Sequence, residues 1–174
     1  MFARKMTYSV YLSLGSNINP EDYIPRTVRA LNDVFEVTAI SSVHRTAPVK
    51  MVEDAEDFHN LCVEIRSDLE PEALKQKLRQ LEGQMGRDRS GDSDLYQSRV
   101  IDIDIILYEP EPEGFDPHPQ VYDEAFVVYP LSEIYDPSEH EDLPETREAW
   151  KSDCDDSIML GRVTYDWSGG LGDR

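Results

Sequence analysis

Length, composition and charge exclude several classes of protein. The chain has 174 residues, of which 39% are hydrophobic, enough for one domain with a modest core. Its 36 acidic residues outnumber its 17 basic ones and give a formal net charge of −19. We therefore expect no binding to nucleic acid or to an anionic membrane surface. No apolar run approaches the roughly 20 residues that span a bilayer. The two cysteines, Cys62 and Cys154, cannot form a disulfide framework, and we expect a cytoplasmic protein.

The charge imbalance is compatible with two kinds of protein. The basic residues comprise 12 Arg and only 5 Lys among many carboxylates, a composition that suits a protein kept soluble in concentrated salt. An ordinary acidic protein has the same sign of charge. Stability that rises with added salt would favour the first interpretation, and full stability in dilute buffer would favour the second.

Hydrophobic periodicity predicts a strand, a helix and two further strands in the first part of the chain. Alternating apolar residues predict a strand over 8–14, which ends before a Gly-Ser-Asn turn. Apolar residues at helical spacing predict a helix over 20–33, and Pro25 suggests that it begins near that residue. Residues 37–44 and 58–65 are rich in β-branched and apolar side chains, so each predicts a strand.

A second helix and one more strand follow. The helix begins after Pro71 and ends at Gly86, with its apolar face formed by Leu74, Leu78, Leu81 and Met85. Residues 87–97 are polar and predict a loop, and residues 100–108 predict a strand. Simple alternation would place Ile101, Ile103, Ile105 and Leu107 on one face of that strand.

The order strand, helix, strand, strand, helix, strand is typical of a split βαβ arrangement. We therefore predict an α+β protein with a ferredoxin-like α/β sandwich: an antiparallel sheet of about four strands with helices packed on it. This domain is expected over residues 1–134. Residues 135–174 are strongly acidic and predict a loosely packed C-terminal extension.

Two aspartates in the last predicted strand indicate a metal site. Asp102 and Asp104 lie two residues apart, so they share one face of the strand between Val100 and Ile106. Two neighbouring carboxylates on an apolar strand repel each other and lose hydration, and a divalent cation removes that cost. Carboxylate oxygens suit Mg²⁺, which also takes substrate phosphates as ligands. A solvent-facing strand with two ordinary acids is the alternative.

Three arginines flank the predicted loop before these aspartates. Arg87, Arg89 and Arg99 are concentrated there in a chain that is poor in basic residues. Planar guanidinium groups beside a metal site are suited to polyphosphate. Ion pairing with nearby acids at the surface explains them equally well without the aspartates.

Several short motifs, taken in order, resemble the 6-hydroxymethyl-7,8-dihydropterin pyrophosphokinase family over about residues 7–134. They are Leu12-Ser13-Leu14-Gly15-Ser16-Asn17, Arg45-Thr46-Ala47-Pro48, Phe58-His59-Asn60, Leu81-Glu82, Gly86-Arg87, Arg99-Val100-Ile101-Asp102-Ile103-Asp104, Pro117-His118-Pro119, Ala125-Phe126-Val127 and Pro130-Leu131. Their order and spacing are far more specific than any one of them.

The resemblance implies transfer of a pyrophosphoryl group from ATP to the hydroxymethyl oxygen of the pterin, with release of AMP, in folate biosynthesis. By resemblance, two Mg²⁺ ions are held by Asp102 and Asp104, and the catalytic set is completed by Arg87 and Arg99. The residues expected near the nucleotide are Glu82, Arg89 and His118. Those expected around the pterin are Thr46, Ala47, Val49, Phe58, Asn60 and Phe126, with the ring stacked between the two phenylalanines. Small-molecule substrates and a monomeric enzyme are the expected partners and state.

Two positions depart from the family pattern. Glu124 stands where an arginine is usual, and Leu95 lies in a loop segment that has lost a further arginine. A carboxylate cannot hold phosphate, so we expect altered nucleotide contacts.

Three other functions are alternatives. A non-catalytic pterin- or nucleotide-binding relative would follow if Glu124 abolished ATP binding. A different Mg²⁺-nucleotide transferase, such as a glycosyltransferase, would need a larger nucleotide-binding domain, and the chain has no Gly-rich phosphate loop. An RNA-binding sandwich has a similar topology but is disfavoured by the charge of −19.

Overall fold

The computed structural model describes residues 5–48, 55–87 and 100–167. The strands of this part of the chain are β1 (Tyr8–Ser16), β2 (Glu36–Ile40), β3 (Val43–Thr46), β4 (Phe58–Ser67), β5 (Asp102–Glu109) and β6 (Met159–Val163). Its α-helices are α1 (Pro20–Val34), α2 (Pro71–Gln84), α3 (Gln120–Asp123), α4 (Ala125–Ile134) and α5 (Arg147–Ser152). None of these helices has the length and hydrophobicity that a membrane crossing requires.

The strands form one antiparallel sheet in the order β5-β1-β4-β3-β6, and β2 also pairs with β4. The predicted α+β sandwich is confirmed, and in the described part of the chain the sheet has six strands, more than the four or so predicted. The strand expected over 37–44 is divided at Ser41. The hydroxyl of that residue accepts a hydrogen bond from the Cys62 N–H at 2.9 Å and so replaces a regular ladder contact. The sixth strand, β6, comes from the acidic C-terminal region.

Each face of the sheet is covered by different helices. α1 and α2 pack on one face, where the buried leucine, isoleucine and valine side chains of β1 and β4 form the larger core. α4 packs on the other face and forms a second core with Cys62 of β4 and Ile106 of β5. Because strand side chains alternate, every second residue of β1 and β4, and of β5 as far as Ile106, points toward the α4 face.

The alternation predicted for β5 fails after Ile105. Ile101, Ile103 and Ile105 contact the core under α1 and α2 as predicted, but Leu107 lies in the core under α4. The pairing with β1 shifts by one residue between Tyr11 and Leu12, which is a β-bulge. One extra residue in β5 reverses the faces beyond it.

The first helix also starts earlier than predicted. α1 begins at Pro20, and Pro25 lies inside it. A proline at that position removes one helical N–H, the donor to the carbonyl of Glu21. Glu21 is exposed, so water can satisfy its carbonyl, while the ring of Pro25 is buried.

The predicted loose packing of residues 135–174 is wrong over their described part. Tyr135, Leu143 and Trp150 are buried in the α4 core, and the Trp150 Nε1–H donates to the Val121 carbonyl at 2.7 Å. The acidic composition of the segment did not indicate that these few large apolar side chains are buried. Their burial is enough to fix the segment to the body of the protein. The domain boundary at residue 134 stays a prediction.

Candidate active site

Strand pairing aligns two of the predicted site residues, Asp102 and Asn60, in one row across the sheet. Asp102 of β5 pairs with Gly15 of β1, Gly15 pairs with Asn60 of β4, and Asn60 pairs with His44 of β3. Paired residues share a face, and neighbouring strands lie about 4.8 Å apart, so Asp102 and Asn60 are separated by about 10 Å. A surface of this width on the α4 face can hold a flat heterocycle at one end and a diphosphate at the other.

At the β5 end of the row, the carboxylates are arranged around a buried guanidinium. The Arg87 side chain is only 5% exposed. Its Nη1 donates to Glu82 Oε2 at 2.5 Å and to the Ile101 carbonyl at 3.2 Å, and it also donates to Asp102. These contacts hold Asp102 in place and join the end of α2 to the start of β5.

Glu82 is buried at the centre of this cluster. Its Oε2 accepts a hydrogen bond from Arg87 and another from the Ile103 N–H at 3.4 Å. Ile103 lies between the two aspartates in the chain. Glu82 was predicted to lie near the nucleotide and Arg87 to grip phosphate. In the structure both side chains face inward, where they position Asp102, and direct nucleotide contact stays a prediction for each.

Asp102 and Asp104 fit a Mg²⁺ site by their chemistry and placement. The two half-buried carboxylates lie on the same face of β5, opposite Gly15 and Ser13. Mg²⁺ is usually bound through one or two carboxylates and keeps its other positions for water and phosphate oxygens, which this pair allows. In the residues that the structure describes, no group of three or more His, Cys, Asp or Glu side chains surrounds a common point.

His118 lies near the aspartate pair, after the end of β5. Its backbone N–H donates to the Ile106 carbonyl at 3.1 Å, and its Nδ1 accepts from the Gln120 N–H at 3.3 Å. Burial lowers the pKa of His118, against a smaller opposing effect from the Asp102 charge. The ring is therefore neutral at pH 7, and Nε2 carries the proton that it can donate to a ligand.

The other end of the row carries a buried amide–hydroxyl pair. The Nδ2 of Asn60 donates to Thr46 Oγ1 at 2.7 Å, and the two residues are 5% and 2% exposed. Phe58 pairs with Thr46 across β3 and β4, so its half-buried ring lies on the same face. Phe126 lies in the first turn of α4, which packs over this face. Three of the predicted pterin residues, Thr46, Phe58 and Asn60, therefore lie together at one end of the row, and Phe126 lies on the helix that covers the same face of the sheet.

Ala47 follows this group directly, and its N–H donates to the Ile158 carbonyl at 2.9 Å. That donor is therefore already used, and only the carbonyl and methyl group of Ala47 remain for a substrate. Val49, Arg89 and Arg99 lie outside the described residues, so their predicted roles stay predictions.

Gly15 lies in the row across the sheet but was not among the predicted site residues. In the sequence it has the features of an ordinary turn residue, but in the structure it lies inside β1 and separates Asn60 from Asp102 in the row. A Cβ at this position would lie 2.8 Å from Asn60 Oδ1, closer than a normal contact. Only the register between β1 and β4, which appears in the fold, identifies this contact.

We expect Gly15→Ala to weaken pterin binding without unfolding the protein. The added methyl group must displace the Asn60 amide and lengthen its bond to Thr46, whose loss costs about 1 kcal/mol, or roughly a fivefold rise in KM for the pterin. Steady-state kinetics with either substrate varied would measure this. Gly83→Ala, at an exposed position of α2, is the matched control, because no atom lies within 4 Å of its added Cβ. An unchanged pterin KM would contradict the role given to Gly15.

Comparison with known proteins gives a consistent family match. The family model for 7,8-dihydro-6-hydroxymethylpterin-pyrophosphokinase matches residues 11–136. A 2-amino-4-hydroxy-6-hydroxymethyldihydropteridine pyrophosphokinase of Bacillus subtilis is 36% identical over 136 residues, covering 74% of this chain and 79% of the relative. The enzyme of the same name from Aquifex aeolicus is 33% identical and is covered to 79%, with 72% of this chain aligned. That of Porphyromonas gingivalis is 32% identical and is covered to 89%, again with 72% of this chain aligned.

The match spans β1 to α4, which carry every described residue of the row across the sheet. The reaction of this family uses ATP as co-substrate and places a pyrophosphoryl group on hydroxymethyldihydropterin in folate biosynthesis. The chain therefore belongs to the 7,8-dihydro-6-hydroxymethylpterin-pyrophosphokinase family and is an enzyme of pyrophosphoryl transfer.

Proposed function

We propose that the row across the sheet is the catalytic surface, with the triphosphate of ATP at the β5 end and the pterin at the β3–β4 end. The observation that carries this proposal is the cross-strand alignment of Asp102, Gly15 and Asn60. Gly15 has no side chain, so the surface between the aspartate and the amide stays open for the reacting groups. The separation of about 10 Å suits a pterin joined to a phosphate chain.

The pterin end supplies hydrogen-bonding groups and two aromatic rings. Because Asn60 Nδ2 donates to Thr46, the amide oxygen of Asn60 and the hydroxyl hydrogen of Thr46 remain for a ligand. These groups match the mixed donor and acceptor edge of a pterin. Phe58 and Phe126 provide flat apolar surfaces on which a heterocycle can stack. This complementarity supports the assignment of all four residues to the pterin.

At the β5 end, we assign Asp102 and Asp104 to two Mg²⁺ ions. When bound, such ions neutralise charge on the phosphates and on the departing AMP oxygen. Arg87 and Glu82 keep Asp102 in position through the buried ion pairs. We assign phosphate contacts to Arg87, Arg89 and Arg99, and a nucleotide contact to the neutral His118.

The reaction at this surface is one in-line displacement. The hydroxymethyl oxygen of the pterin forms a bond to the β-phosphorus of ATP and releases its proton to water, while the bond from that phosphorus to the α–β bridging oxygen breaks. AMP leaves with the bridging oxygen. The chain contributes mainly alignment and charge neutralisation, and these account for most of the rate enhancement in phosphoryl transfer.

Glu124 is expected to weaken the grip on ATP. It precedes α4, where its carbonyl accepts from the N–H groups of Val127 and Val128. Its charge adds to those of Asp123, Asp153 and Asp156, which together raise the pKa of the Cys154 thiol beyond the effect of burial. A surface of this sign repels phosphate, so we expect a high KM for ATP. We also assign the enzyme to the cytoplasm, as a monomer that does not bind nucleic acid.

Formation of AMP tests the proposal. We expect AMP from ATP only when reduced hydroxymethylpterin and Mg²⁺ are both present, and none after chelation of the metal. Runs in dilute and in molar salt would also distinguish the two interpretations of the acidic composition. Pterin that binds, with no AMP formed at any salt concentration, would instead favour the non-catalytic alternative.

A further inference from the structure

The chain continues beyond the family match, and this part returns to the pterin end of the row. The match ends at residue 136, whereas β6 spans Met159–Val163. β6 pairs antiparallel with β3, so that Thr46 lies opposite Met159 and His44 opposite Arg162. At the adjoining residue the Ala47 N–H donates to Ile158. The end of β3 is thus hydrogen-bonded to β6, a strand that lies outside the matched region.

The same C-terminal segment also holds the start of β4. The hydroxyl of Tyr165 lies 2.6 Å from His59 Nδ1, and the two rings meet edge to face at 5.9 Å. His59 is 7% exposed and stands between Phe58 and Asn60 in the chain. Tyr165 is itself stacked on Trp167, with ring centroids 5.6 Å apart and planes 24° apart.

Proton positions in this contact follow from burial. Burial lowers the pKa of His59 and raises the pKa of Tyr165, so at pH 7 the imidazole is neutral and the phenol keeps its proton. The phenol donates and Nδ1 accepts. This hydrogen bond between the buried His59 and the half-buried Tyr165, both neutral, fixes the backbone of β4 at the residue that joins Phe58 to Asn60.

We infer that Tyr165 is a positioning residue for pterin binding, acting through His59 on Phe58 and Asn60. The inference rests on the pterin subsite proposed above. Side chains on adjacent positions of a strand point to opposite faces, so His59 can be held from the α1 face while its two neighbours face the substrate. Tyr165 never contacts the pterin, and the β5 end of the row does not depend on it.

The substitution Tyr165→Phe removes the hydroxyl and keeps the ring stacked on Trp167. We expect the KM for the pterin to rise about three- to tenfold, the range for loss of one intramolecular hydrogen bond. The KM for ATP and kcat at saturating pterin should stay within about twofold, because such a change affects ground and transition states alike. Steady-state kinetics on the full-length protein would measure all three.

Tyr135→Phe is the matched control. The hydroxyl of Tyr135 donates to Glu109 Oε1, also at 2.6 Å, at the far end of β5 from the row. This variant should lower the thermal midpoint of unfolding about as much as Tyr165→Phe does, because each loses one tyrosine hydroxyl hydrogen bond. It should leave the KM for the pterin unchanged. Equal rises in KM for both substrates in Tyr165→Phe would indicate general loosening and would overturn the inference.

Two further variants separate this inference from the proposed function. Asn60→Ala should raise the KM for the pterin directly. If it does and Tyr165→Phe does not, the positioning role is wrong while the subsite stands. If Asn60→Ala has no effect, the proposed subsite is wrong and the inference fails with it. In a His59→Leu background, Tyr165→Phe should add no further rise, and additive effects would contradict the route through His59.

Discussion

Replacing Asp104 by Asn is expected to reduce kcat/KM for pyrophosphoryl transfer at least about 100-fold, which corresponds to roughly 2.7 kcal/mol of lost transition-state stabilisation. The amide has nearly the shape of the carboxylate but lacks its charge, so one of the two anionic ligands assigned to Mg²⁺ is lost. Removal of Asp102 would disturb folding as well as metal binding, because Asp102 is paired with the buried Arg87.

The measurement is AMP formation across a range of Mg²⁺ concentrations, with the thermal midpoint as a check of folding. The variant should also need more Mg²⁺ for half-maximal activity. Asp116→Asn removes an exposed carboxylate from the loop between β5 and α3 and serves as the control. Full activity of Asp104→Asn at the wild-type Mg²⁺ requirement would refute the metal assignment.

Replacing Trp150 by Ala is expected to lower the free energy of unfolding by about 3–5 kcal/mol, the usual cost of truncating a large buried aromatic side chain. Trp150 is fully buried, packs edge to face on Tyr135 at 6.4 Å, and donates to the Val121 carbonyl. Its loss leaves a cavity and an unpaired carbonyl on α3. Thermal or urea unfolding would measure the change, with an expected fall in the midpoint of about 10 °C.

Trp167→Ala is the control for this prediction, because Trp167 is only half-buried and its truncation should cost clearly less. The comparison decides whether residues 135–167 belong to the cooperative unit that unfolds. A Trp150→Ala variant as stable as the wild type would show that this part of the chain contributes little to the body. That result would support the prediction, made from the acidic composition, of a loosely packed C-terminal extension.

Local pattern was sufficient for most of the secondary structure and for the class of fold. Alternating residues predicted β1 and β4, and helical spacing with Pro71 and Gly86 predicted α2 almost to the residue. These signals are local, because the spacing of apolar residues within a strand or helix indicates which of its faces is buried. The pattern failed where a distant partner decides. The bulge in β5 arises from its pairing with β1. The division of the strand predicted over 37–44 arises from the hydrogen bond that the hydroxyl of Ser41 accepts.

The candidate site shows the same division. Asp102 and Asp104 could be identified from their spacing in an apolar strand, and the motif order identified the family and its reaction. The inward orientation of Arg87 and Glu82 could not be predicted, because a guanidinium that satisfies two carboxylates and a carbonyl depends on α2 and β5 meeting in space. The need for glycine at position 15 likewise depends on Asn60, which lies 45 residues away in the chain but directly opposite in the sheet.

The sequence by itself therefore determined the α+β class, the family, the reaction and the acidic pair, since each depends on short-range pattern or on residue identity. The tertiary structure decided which residues share a face, which charges are buried together, and that the acidic C-terminal region packs on the body and adds β6 beside the pterin end. Those outcomes depend on contacts between segments far apart in the chain. Their free energy comes from burial and pairing that no single segment contains.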